Sequence, residues 1–128
     1  MSVSVDWADR DNAIIIFTLQ DVVITQPYQA VLEQIEAMSE ELHKVSLIIF
    51  YDKDFVVQSD GFVSRAKQFY QFMHKLELCW VIVATGNDAI MGLWEGTLAL
   101  YKIEPPKYSF APSVDEAVKQ IRQWRQSL

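Results

Sequence analysis

A strand that runs into a helix across four small or polar residues constrains this chain more than any other feature. Ser46-Leu47-Ile48-Ile49-Phe50-Tyr51 is an apolar run of strand length, the pattern of a strand buried within a sheet. Downstream, Phe62, Val63, Ala66, Phe69, Tyr70, Met73 and Leu76 recur at helical spacing, so one face of a helix is apolar. Between the two lies Gln58-Ser59-Asp60-Gly61, which falls at the start of that helix. Unpaired N–H groups and the helix dipole there favour an oxygen acceptor or a negative charge. Two readings of the junction stand. One is an N-cap that stabilises the helix by about 1 kcal/mol, and the other is a helix start that faces a partner.

The remaining elements follow from periodicity. Val3, Val5 and Trp7 alternate with polar residues, Asp9-Arg10-Asp11-Asn12 makes a polar turn, and Ala13 to Leu19 resumes with β-branched residues, which predicts a hairpin. Pro27 suits a first helical turn. Tyr28, Val31, Leu32, Ile35, Met38 and Leu42 then form an apolar stripe, with Glu33, Glu36, Glu40 and Glu41 on the solvated side. Cys79-Trp80-Val81-Ile82-Val83-Ala84 is a further buried strand. Thr85-Gly86-Asn87-Asp88 supplies a turn and a cap for a third helix carrying Ile90, Met91, Leu93, Trp94, Leu98 and Tyr101. Gly92 and Gly96 lie inside it, each costing about 1 kcal/mol against Ala, and either allow close helix packing or soften the helix. Lys107 to Phe110 reads as a last short strand. Ser113-Val114-Asp115-Glu116 has the spacing of a capping box, opening a final helix whose Arg122 and Arg125 read as its solvated end.

Strands alternating with helices predict an α/β fold in a single domain spanning residues 1–128. Its sheet is mixed and mostly parallel, of about four to five strands with about four helices, and the N-terminal hairpin lies at the sheet edge. The 128 residues suffice to bury a core without disulfide or metal support. Eleven Lys and Arg against seventeen Asp and Glu give a net charge of −6, which disfavours nucleic-acid binding. Cys79 is the single cysteine and reads as a small core residue. No basic start with a following apolar stretch is present, and no apolar run is long enough to span a membrane. A reducing cytoplasm is the expected setting.

The order of elements, the junction at Gln58-Ser59-Asp60-Gly61-Phe62 and the closing Phe110-Ala111-Pro112-Ser113-Val114-Asp115-Glu116-Ala117 together resemble the STAS family, the SpoIIAA-like anti-sigma-factor antagonists. The likeness runs from Ala13 to Trp124. In that family an Asp-Ser-Ser-Gly-Leu type motif opens the helix, and its phosphorylated Ser corresponds here to Asp60, its leading Asp to Gln58. A phosphate would add a charge of about −1.5 to −2; Asp60 carries one permanent negative charge instead.

The resemblance implies a noncatalytic regulatory domain. Gln58, Ser59, Asp60, Gly61, Val63 and Ser64 would meet a protein partner, of which an anti-sigma-factor-like kinase is the family's best known. The alternative is a small-molecule or lipid-binding domain with an apolar pocket under the third helix, lined by Phe69, Phe72, Trp80, Met91, Trp94 and Tyr101. The residues themselves supply little for catalysis. His43 and His74 lack metal-pair spacing, no glycine-rich phosphate loop follows a strand, and no cofactor or metal is expected. Asp52 and Asp54 read as an acidic surface turn, although the C-terminal end of a strand is where open α/β sheets bind ligands. The Trp7 hairpin and the third helix are candidate homodimer faces.

Overall fold

The computed structural model describes residues 3–19, 28–42, 44–52, 55, 71–72, 78, 80–100 and 108–127. Five strands form one mixed sheet in sequential order: β1 (Val3–Asp9), β2 (Ile14–Leu19), β3 (Ser46–Tyr51), β4 (Val81–Ala84) and β5 (Tyr108–Ala111). The first pair is antiparallel and the others are parallel. Three helices are present among the described residues: α1 (Tyr28–Glu41), α2 (Asp88–Leu100) and α3 (Val114–Gln126). That is one fewer than the sequence predicts. The expected helix over 62–76 lies outside the described residues, apart from Gln71 and Phe72, which are helical.

Side chains of successive strand residues point to opposite faces, and here both faces are apolar. Ile15, Phe17, Leu19, Leu47, Ile49, Val81 and Val83 meet Ile35 of α1 and Ile90 and Trp94 of α2 in the larger core. Ile14, Ile48, Ile82, Ala84 and Ala111 meet Ala117 and Ile121 of α3 in the smaller one. An unreversed strand order accounts for this division. Each right-handed parallel crossover puts its helix on the same face, so α1 and α2 share one side. The helix after β5, α3, lies on the other face, against Ile14, Ile48 and Ile82.

The hairpin turn is held by polar contacts. Asp9 accepts from the Asn12 side chain at 2.8 Å and from its backbone N–H at 3.3 Å, and Ala13 N–H donates to the Arg10 carbonyl at 3.1 Å. Ala13 closes the turn in the left-handed region, with φ 55°, while its side chain is buried.

The C-terminal half of α3 reaches the same end of the sheet. Arg122 donates to one Asp9 carboxylate oxygen through Nε at 2.9 Å and Nη2 at 2.6 Å, and Arg125 Nη1 donates to the Lys44 carbonyl at 2.7 Å. The basic pair expected to be a solvated helix end therefore ties α3 to the turns that precede β2 and β3. Among the described residues a Cβ on Gly92 or Gly96 would meet nothing within 4 Å, so no described neighbour requires a close approach at either.

Candidate functional site at the C-terminal edge of the sheet

Parallel strands that stop together, each feeding a loop, leave a concavity at their C-terminal ends. Here a cleft of about 780 Å³ is lined by Phe50 and Tyr51 at the end of β3 with Asp52 after it, by Thr85 to Asp88 after β4, and by Pro112 to Asp115 after β5.

Its walls are built from local capping chemistry. Thr85 is buried, its N–H donates to the Ala111 carbonyl at 3.0 Å, and its Oγ1 accepts from Asn87 N–H at 3.0 Å. Asn87 Oδ1 in turn accepts from Ala89 N–H at 2.9 Å and Ile90 N–H at 3.4 Å, which caps α2. Ser113 caps α3 by accepting from Glu116 N–H at 3.3 Å, as the Ser-x-x-Glu spacing predicts. Two helix N-termini thus open onto one cleft. Their first turns carry Asp88 and Asp115, whose charge complements the positive ends of the helix dipoles.

The floor is aromatic. Tyr51 is 6 % exposed, its hydroxyl accepts from Trp94 Nε1 at 2.9 Å, and its ring meets Phe55 edge to face at 4.8 Å. Trp94, 2 % exposed, is consequently a core residue with its polar end satisfied. The lining offers carboxylates from Asp52, Asp88 and Asp115 together with hydroxyl and amide groups. Among the described residues the lining includes no Cys, His, Lys or Arg, and no group of three or more His, Cys, Asp and Glu is placed to hold a metal ion. This chemistry suits binding.

The residues singled out from the sequence are distributed as follows. Gln58, Ser59, Asp60, Gly61, Val63 and Ser64 lie outside the described residues, as do Phe69, Tyr101, Asp54, His43, His74 and Cys79. Phe72 packs against the larger core and Met91 is partly buried on α2. Trp80 joins the smaller core, where its ring lies 5.5 Å from that of Trp124. Trp80 and Trp94 are therefore not brought together. Of the cleft residues, the sequence singles out Asp52 as lying where α/β sheets bind ligands; the Thr85–Asp88 turn and the Ser113–Glu116 box carry only a capping signal there, and the alignment of three strand ends is the signal that joins them.

The fold and cleft define a class: an open α/β domain with a polar concavity at the ends of its parallel strands. Comparison of the chain with protein-family models, with curated proteins and with solved structures finds no match. Among the described residues no helix is long and apolar enough to cross a membrane.

Proposed function

We propose that this chain is a noncatalytic interaction and regulatory domain of STAS type, meeting a protein partner through residues 58–64 and the C-terminal edge of its sheet. The observation that carries the reading is the sheet itself. An antiparallel edge strand followed by four parallel strands agrees with the mixed, hairpin-edged sheet expected from the element order, and that element order is part of what carries the resemblance. The cleft at the strand ends supports it further, since its described lining is a set of capping hydroxyl, amide and carboxylate groups around two helix N-termini. Asp60 supplies a fixed negative charge where the resemblance puts a phosphorylated Ser, so the domain acts in one binding state, with an anti-sigma-factor-like kinase as the partner class.

The test is affinity capture with the wild-type protein, followed by a binding measurement between the purified partner and Asp60→Arg. A loss of at least about tenfold in affinity, roughly 1.4 kcal/mol, is expected. Retained affinity, together with an Asp60→Ser protein that its partner does not phosphorylate, would sink the reading.

The cleft volume also favours a second reading, a small-molecule-binding domain. The ligand would then sit in the cleft at the strand ends, since Trp94, of the lining expected under the third helix, is buried in the larger core. Native mass spectrometry of the captured protein separates the two: a bound metabolite, insensitive to Asp60→Arg and lost with Asp115→Arg, selects the second.

A further inference from the structure

The backbone bonding of β2 determines which groups of β1 face the open edge of the sheet. The Ala13 carbonyl accepts from Ser46 N–H, and the Leu19 carbonyl accepts from Asp52 N–H, both at 2.9 Å. Backbone groups alternate sides along a strand, so the odd-numbered residues of β2 bond to β3. The even-numbered Ile14, Ile16 and Thr18 bond to β1, opposite Asp9, Asp6 and Ser4. Val5 and Trp7 consequently turn their N–H and C=O groups outward, in the row that an added strand would use.

Two of those outward groups are already engaged by side chains. Gln34 Nε2, on α1, donates to the Val5 carbonyl at 3.4 Å. Trp7 N–H donates to Asp6 Oδ1 at 2.8 Å. The same helix is strapped along this edge further down, where Arg10 lies 5.1 Å over the Trp7 ring and pairs with Glu41 at 3.1 Å. A bulge between Trp7 and Asp9 then breaks the register. At the other edge, the described part of β5 is four residues long, which offers less to template pairing than the seven of β1.

We propose that Asp6 and Gln34 guard the β1 edge against strand addition, and that the strand they exclude is β1 of a second copy of this chain. The pairing is self-complementary about a two-fold axis at Val5. In that antiparallel register Val5 faces Val5, Val3 faces Trp7 and Ser4 faces Asp6, so apolar residues meet on one face and polar residues on the other. An isologous contact of this kind needs no second surface. In the guarded chain it would require the Val5 carbonyl and the Trp7 N–H to exchange a bond already made.

The experiment compares wild type, Asp6→Asn and the double variant Asp6→Ala/Gln34→Ala as full-length purified chains. Sedimentation equilibrium gives the association constant, and amide hydrogen exchange locates the interface. The double variant is expected to self-associate at least about tenfold more tightly than wild type, with the Val5 and Trp7 amides newly protected. A synthetic peptide of residues 3–9 should compete with that association. Asp6→Asn keeps an oxygen for the Trp7 N–H while removing the charge, and should behave as wild type.

A double variant with wild-type circular dichroism and wild-type sedimentation would overturn the proposal, as would association that protects β5 instead of β1. Equal association of Asp6→Asn and the double variant would also overturn it, by assigning the effect to charge alone.

Discussion

Ser46 shows how a single atom can oppose a well-made core. It begins β3, it is fully buried, and its hydroxyl has no hydrogen-bond partner among the described residues. A buried hydroxyl that forgoes its water without a replacement costs roughly 1–3 kcal/mol. Its backbone is well used, since the N–H donates to Ala13, so the cost is confined to the side chain. Ser46→Ala keeps the backbone and nearly the volume. It should raise the unfolding free energy by about 1 kcal/mol in urea denaturation. An unchanged or lower midpoint would mean that the hydroxyl has a use which the packing does not reveal. Tyr51 and Trp94 are the contrasting case, two buried aromatic residues whose polar ends satisfy each other.

At the scale of elements, α2 carries two glycines that no described neighbour requires. Gly92 and Gly96 are exposed within it, with open space where a Cβ would go. Gly92→Ala and Gly96→Ala should each stabilise the protein by about 1 kcal/mol, read as a rise in thermal midpoint. A fall at either position would show that the backbone there is constrained by something other than the described neighbours.

The elements also differ in how legible they were. The strand at Ser46–Tyr51 matches its expected span because a run buried on both faces has no competing period. The cap at Ser113 was equally readable, since its chemistry lies within four residues. The clamp from Arg122 to Asp9 was not, because it joins residues 113 positions apart and no local pattern carries that information. The cleft was half legible for the same reason. Each wall is a local turn, but their convergence depends on the order of the strands. Of the aromatics expected under the third helix, Trp80 joins the smaller core and Trp94 the larger, a division that helical or strand spacing does not tell.

For the molecule as a whole, the link between Asp9 and Arg122 sets how the fold responds to acid. Burial pushes the Asp9 carboxyl up, but hydrogen bonds from Asn12 and Arg122, with the charge of Arg122, together outweigh it and hold the group below the ordinary 3.8. A carboxyl whose pKa is lowered on folding adds stability above its unfolded value and loses it as pH falls through the folded one. The contribution is therefore intact at neutral pH and disappears below about pH 4. Asp9→Asn should lower neutral stability by about 1 kcal/mol or less, because the Arg122 side chain is 53 % exposed and screened by solvent. It should also flatten the acid limb of the stability–pH curve. An acid limb as steep as that of wild type would assign the effect to other carboxylates.

The split of the core between two faces has a further consequence, in time rather than in space. A ribosome releases a chain from its N-terminus, so β1 to β5 and both helices of the larger core emerge before α3 does. Until then Ile14, Ile48 and Ile82 have no cover from Ala117 and Ile121, and the turn at Asp9 has no Arg122 to hold it. The nascent sheet is thus one-sided until α3 is made, with a sticky surface of branched side chains on the face that Ala117 and Ile121 come to cover. A stalled or truncated product lacking residues 114–126 would carry that surface permanently, which makes α3 the step at which a newly made copy becomes safe from its neighbours.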